Sequence, residues 1–218
     1  MARNNKIKYC SRSRIIPEKT IYLACEGGDC GTEATYIKQL CQKYNCTIVW
    51  IYKKSDTDPL ILAQYAIEFS RRQETDKKSE LWIVFDNDKP NKVRQAYTMV
   101  NRYNHNINRL KKRYMPVNIA FNAPSIETFG LLCCGITKIS TNAKTNQKNL
   151  RSPTMPGYCH EKTPHAGPYF DFTTMEKGFN KAVKQAKQWA VSFCEEPEYT
   201  ATVFAGIYKL AESIKSAR

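Results

Sequence analysis

Thr20–Cys25 (TIYLAC) is a short, apolar run that passes directly into Glu26-Gly27-Gly28-Asp29-Cys30-Gly31. Six residues of that texture read as a buried strand, and the three glycines that follow permit a tight turn. Thr32 then stands where a helix cap belongs, ahead of a helix from Glu33 to about Lys43 with Tyr36, Ile37 and Leu40 at helical spacing. The same cycle repeats downstream. Thr47–Tyr52 (TIVWIY), Leu81–Phe85 (LWIVF) and Val117–Phe121 (VNIAF) read as further strands. Helices are expected over Leu60–Arg72, Lys92–Tyr114 and from Ser125 to about Cys134. Strands that are apolar throughout, alternating with helices, predict an α/β fold whose mostly parallel sheet is covered on both faces.

Beyond residue 138 the texture changes to a polar stretch rich in Lys, Asn, Thr and Pro, running to about Pro168. Two helices are expected after it, near Thr173–Phe193 and Tyr199–Ser216. The chain therefore divides into a flexible basic arm (1–17), an α/β core (18–128) and a part (129–218) made of a basic loop and C-terminal helices packed on the core.

With 218 residues, the chain can bury a core of its own without disulfides. No apolar run approaches the length of a membrane span, and MARNNKIKYCSRSRIIPEKT lacks the apolar region of a signal peptide. Nine cysteines, an odd number, include the adjacent Cys133 and Cys134, which suits buried thiols in a reducing, cytoplasmic setting. Cys159, His160 and His165 cluster but lack a fourth ligand, and no CxxC pair accompanies them, which argues against structural zinc. Thirty-four Lys and Arg against twenty Asp and Glu leave +14, a balance that favours a polyanionic partner.

On so basic a chain, the acidic residues at strand ends stand out. Ligands of open parallel sheets bind beyond the carboxyl ends of the strands. Glu26 closes the first strand, and Asp86 and Asp88 close the third, where strand alternation would send both aspartates to one side. Two or three carboxylates suffice for Mg²⁺ or Mn²⁺, which take oxygen ligands and retain waters. Carboxylates meeting a phosphate backbone through a metal ion point to metal-assisted phosphodiester hydrolysis. An Asx-type turn at Asp86-Asn87-Asp88 is the plainer alternative. The Gly27-Gly28 turn matches neither GxGxxG nor GxxxxGK[ST]. A DxD after a strand also resembles haloacid-dehalogenase phosphatases, though here it follows the third strand.

Between Asn101 and Arg151 the sole acid is Glu127. Arg109, Lys111, Lys112 and Arg113 gather at a helix end, and Lys138, Lys144, Lys148 and Arg151 populate the polar stretch. These are the candidate nucleic-acid contacts, each able to neutralise a phosphate, with a solvated basic surface as the bland alternative. The row Lys177, Lys181, Lys184 and Lys187 reads as a solvated helix face.

The order of motifs carries a resemblance. Glu26-Gly27, Thr32-Glu33 and Tyr36, then Phe85-Asp86-x-Asp88, then Ala123-Pro124-Ser125-Ile126-Glu127-Thr128-Phe129, and finally Thr200-Ala201-Thr202-Val203, resemble the RloB-like (AbiLii-like) proteins over about residues 20 to 213. That family looks like a branch of the Toprim fold found in bacterial antiphage and abortive-infection loci, often beside an ABC-type ATPase. The resemblance implies a Toprim-like sheet and a Mg²⁺-dependent nuclease acting on RNA (tRNA among its forms) or DNA as a defence effector. It implies that Glu26, Asp86 and Asp88 are catalytic and bind metal, and that Glu33 and Glu127 complete the acidic set. Where the family carries a histidine after a Leu-Leu pair, this chain has Cys133 after Leu131-Leu132. If that histidine matters, His105, His160 or His165 would have to replace it. The alternative is a non-catalytic Toprim-like module that binds nucleic acid or the ATPase.

Overall fold

The computed structural model describes residues 19–52, 58–73, 78–150, 172–192 and 198–216. Four apolar stretches form β1 (Lys19–Cys25), β2 (Cys46–Tyr52), β3 (Ser79–Asp86) and β4 (Val117–Ala123). Between them run α1 (Thr32–Lys43), α2 (Pro59–Arg71) and α3 (Pro90–Arg109). After them come α4 (Glu127–Cys133), α5 (Ala143–Leu150), α6 (Phe172–Ser192), β5 (Phe204–Ala205) and α7 (Ile207–Lys215). The basic arm 1–17, Arg151 and the Cys159/His160/His165 cluster lie outside the described residues.

The sheet has the order β2-β1-β3-β4-β5; the first four strands are parallel and β5 is antiparallel to β4. In β3, Leu81 to Phe85 are buried in succession, as a strand covered on both faces requires. The chain goes outward from β1 to β2, then returns past β1 to β3 and β4, so strand order reverses between β1 and β3. Right-handed crossovers consequently put α1 on one face and α2 and α3 on the other. On the α1 side, α6 packs against α1, α4 and α7.

Three local expectations change. First, Gly31, not Thr32, is the N-cap of α1, and it makes no side-chain cap bond. The turn before it uses Gly27 (φ 79°) and Gly28 (φ 69°), where a side chain would be strained. Second, the polar stretch contains α5. Asn142 Oδ1 accepts from Thr145 N–H at 3.2 Å, while buried Asn146 bonds both the N–H and the carbonyl of Ser140. Third, the helix expected over Tyr199–Ser216 is interrupted. A 3-10 turn, Glu198–Thr200, leads into β5, and α7 starts only at Ile207. Gly206 enforces the break: its N–H donates to the Phe121 carbonyl at 2.7 Å, and a Cβ there would lie 2.3 Å from that oxygen. The C-terminal part thus adds a strand to the core sheet as well as helices against it. Among the described residues, no helix is long and apolar enough to cross a membrane.

Candidate functional site

The reversal between β1 and β3 opens a crevice outside the carboxyl ends of these strands, the usual ligand position in such sheets. Register delivers the acids to it. Cys25 pairs with Val84, and the Glu26 N–H donates to the Val84 carbonyl at 2.9 Å, so Glu26 leaves β1 beside the end of β3. Its carboxylate Oε2 accepts the Asp86 N–H at 3.1 Å. Asp86 in turn pairs with Asn122 of β4.

Asp86 is held on both oxygens. Asn122 Nδ2 donates to Oδ1 at 3.2 Å, and the Ile126 N–H, ahead of α4, donates to Oδ2 at 3.3 Å. Asn122 itself is fully buried and accepts the Ile207 N–H at 3.1 Å, linking Asp86 to the start of α7. Glu33 enters from the first turn of α1 and lies within hydrogen-bond reach of Asp86. Glu127, 8% exposed, enters from the first turn of α4 and accepts from the Ser125 hydroxyl. Ser125 therefore orients Glu127 and does not cap α4, whose N-cap is Ile126.

Four carboxyl groups are crowded here, and the electrostatics follow. Burial is the main cause that pushes Asp86 well above the usual carboxylate range, followed by repulsion from Glu33, Glu127 and Glu26. Glu33 is raised by burial first, then by Glu127 and Glu26. Burial lifts Glu26 to about 7; the bond from the Asp86 N–H pulls it down, Asp88 pushes it up and Lys89 opposes. Among the described residues none of the four forms an ion pair.

Asp88 sits apart. It lies in the turn after β3 and is exposed, on the rim where it still acts on Glu26. The strand ends at Asp86, so the alternation expected to align the two aspartates stops before it reaches Asp88. Asn87, between them, is a participant that the sequence does not flag. Its N–H donates to the Pro124 carbonyl at 3.3 Å and its Nδ2 to the Ala201 carbonyl at 3.5 Å, tying the turn to the segment preceding β5.

Among the described residues, no three His, Cys, Asp or Glu side chains already stand in metal-ligand arrangement. The donor chemistry nonetheless suits a hard divalent cation. All the groups are oxygen donors, their mutual repulsion is relieved by positive charge, and Asn87 keeps a buried Oδ1 without a hydrogen-bond partner.

The basic candidates are distributed differently. Arg109, Lys111, Lys112 and Arg113 lie at the far end of α3, whose 20 residues run about 30 Å from the carboxylate end. Lys144 and Lys148 are exposed one turn apart on α5, which packs on α4; Lys138 is exposed before α5. Cys133 is buried where α6 crosses α4, since a Cβ on Gly178 would come 1.7 Å from its carbonyl oxygen. Burial raises its thiol, so it is no substitute for a basic histidine. His105 is exposed on α3.

Besides Asn87, sequence reasoning misses Asn122 and Ser125 as participants. The signal that could find them is the polar Asn122-Ala123-Pro124-Ser125 segment, which joins an apolar strand to a helix.

No curated protein and no solved structure matches the chain. A family model does, described as RloB-like protein, and it aligns with residues 21–214, which include every carboxylate of the crevice. The chain therefore belongs to the RloB-like family.

Proposed function

We infer that this protein is a Toprim-like, divalent-metal-dependent nuclease that hydrolyses phosphodiester bonds of RNA or DNA as an effector of antiphage defence, under control of an ABC-type ATPase. The observation that carries the reading is the crowding of Glu26, Glu33, Asp86 and Glu127 at the β1/β3 reversal, where burial and like charge raise Glu26, Glu33 and Asp86 and no ion-paired cation joins the set among the described residues. Carboxylates so placed are destabilising unless an ion or protons compensate them, and clusters of this kind mark functional sites. Family membership and the basic balance of the chain add support for a polyanionic substrate.

Glu26, Asp86 and Asp88 would hold Mg²⁺ or Mn²⁺, with Glu33 and Glu127 completing or aligning the set. Such an ion supplies counter-charge for a phosphate oxygen and acidifies a water. The chain's own part is preorganisation. Asn122 and the Ile126 N–H fix the two oxygens of Asp86, the Asp86 N–H fixes Glu26, and Ser125 fixes Glu127. Asp88 and Lys89 sit on the exposed rim, where substrate would first arrive.

The test is cleavage of labelled RNA and DNA with Mg²⁺ or Mn²⁺. Asp86→Ala and Asp88→Ala should each lower the rate by about 10³-fold, since the ion is worth several kcal/mol and 1.36 kcal/mol is tenfold, while oligonucleotide binding persists. Cleavage that survives both changes refutes the enzyme assignment. A second reading, a non-catalytic module binding nucleic acid or the ATPase, is favoured by buried Cys133 standing where the family resemblance expects histidine. It predicts binding without cleavage in the native protein.

A further inference from the structure

On the face opposite α1, α2 and α3 run side by side, both starting at the carboxylate end of the sheet and both finishing at the other end. They leave an open groove of about 1180 Å³ between them. Its lining is unusual for the seam between two surface helices. Arg94 and Arg102 from α3 and Arg71 from α2 point positive charge along it, with the amides of Gln64, Gln95 and Asn106 in between. The one acid on the lining, Glu68, is already paired with Arg72. Arg71 lies over the ring of Tyr103, 5.7 Å from its centroid, and the Tyr103 hydroxyl donates to buried Ser70 at 2.8 Å, so this guanidinium rests on a fixed platform. Arg94 and Arg102 are exposed and take part in no ion pair among the described residues.

We propose that the α2/α3 groove is a track for one strand of nucleic acid, leading from the Arg109–Arg113 cluster to the carboxylate crevice. Three observations converge on it. Arg94 stands four residues into α3, one turn from the Asp88-Lys89 rim, and Asn106 stands one turn from Arg109, so the groove joins two features that lie at opposite ends of α3. Arg94 and Arg102 are eight residues apart, about 12 Å along the helix, a span of three to four nucleotides at roughly 3.4 Å each. Helices packed about 8–10 Å apart leave a furrow that one backbone fills, whereas a duplex would ride above it. Guanidinium groups interleaved with amides are the donors that contact phosphate and sugar oxygens. The groove is also larger than the usual small-molecule pocket and open along its length, as a polymer requires.

The inference rests on nucleic acid being the partner of the carboxylate site, and it is tested without chemistry so that the two fail separately. Fluorescence anisotropy of the full chain with a labelled 20-nucleotide single strand, in EDTA, reads binding alone. Arg94→Glu/Arg102→Glu should weaken binding tenfold or more. The milder Arg94→Ala/Arg102→Ala should lower the slope of log affinity against log salt by about 1.4, at about 0.7 for each phosphate no longer neutralised. Lys181→Glu/Lys184→Glu, on the exposed face of α6, supplies the control of equal charge change, and circular dichroism checks that each variant folds. Equal losses in the α3 and α6 variants mean a diffuse charge effect and overturn the track. Tighter binding of polyglutamate than of the oligonucleotide through the same arginines assigns the groove to an acidic protein segment and also overturns it. Loss of cleavage by Asp86→Ala with this binding intact leaves the track standing.

Discussion

The two ends of the sheet treat the same kind of side chain in opposite ways. At the amino end, Glu80 of β3 meets Lys19 of β1 at 2.6 Å, accepts from the Trp82 indole at 2.8 Å and takes a further bond from Ser213 of α7. Burial alone would raise it, but the bonds from Lys19, Ser213 and Trp82 outweigh burial and hold it below its ordinary value. At the carboxyl end of that same strand, Asp86 is surrounded by Glu26, Glu33 and Glu127 and is driven up. One end is completed by the protein itself; the other is complete only with protons or a cation. An acid fully answered by its neighbours serves stability, while a set left crowded lowers stability and is kept for what it binds.

Adding a charge to the crowded end should break the molecule furthest. Asn122→Asp keeps the shape of a fully buried side chain but removes the donor to Asp86 and adds a fifth acid. A buried uncompensated charge of this kind costs about 3–5 kcal/mol, read by urea denaturation at pH 8 in EDTA. The new carboxyl would be raised like its neighbours, so its protonated form is favoured by folding, and the loss should shrink towards pH 5. A loss that is the same at both pH values would mean packing damage and no electrostatic crowding.

Removing a charge from that end should do the reverse. Asp86→Asn should stabilise the cation-free protein by about 1 kcal/mol at pH 8, the relief of repulsion being partly offset because the amide nitrogen cannot accept one of the two bonds that Asn122 and Ile126 donate. Mg²⁺ should raise the melting temperature of the native chain and leave that of Asp86→Asn unchanged, because a ligand stabilises only what binds it. If Asp86→Asn is less stable than the native chain and Mg²⁺ shifts neither, the crowding argument fails.

How much of this is legible in the chain follows from the range of each interaction. TIYLAC, LWIVF and VNIAF declare themselves because a strand covered on both faces is apolar at nearly every position, a purely local signal, and the exception Asn118 donates to the Leu81 carbonyl of β3. The two-residue β5 has no period to detect. It exists because Gly206 lets the backbone reach the Phe121 carbonyl and because Phe204 stacks on Phe121, with centroids 6.3 Å apart. Polar α5 is hidden because buried Asn146 acts through hydrogen bonds, which leave no apolar stripe. The site shows the same division. Glu26 and Asp86 can be placed at strand ends by counting, whereas the positions of Glu33 and Glu127 depend on family likeness, and Asn122 becomes visible only through cross-strand register. The Arg109–Arg113 cluster misleads by proximity in sequence: six residues of β4, Val117 to Asn122, carry the chain about 20 Å from that cluster.

The smallest expected effect belongs to the completed end and sharpens the contrast. Glu80→Gln removes the ion pair to Lys19 while retaining an oxygen that can accept from Trp82 and Ser213, so it should cost about 1 kcal/mol, the pair being partly open to solvent. Because folding lowers the Glu80 value from its ordinary 4.5, this contribution is fully present above about 4.5 and disappears as pH falls through the lower folded value. The native and Glu80→Gln proteins should therefore differ in stability at pH 7 and converge in acid because the native protein loses a favourable contribution, whereas Asn122→Asp converges with the native protein in acid because the variant sheds an unfavourable one. The proposed nuclease activity at pH 7 should be unaltered in Glu80→Gln, since the end of β3 that carries Asp86 lies about 23 Å away, six residues along the strand at roughly 3.3 Å each plus side-chain reach. A cleavage rate that falls with Glu80→Gln as it does with Asp86→Ala would show that the two ends are not independent, and that the sheet transmits between them what its hydrogen bonding otherwise keeps apart.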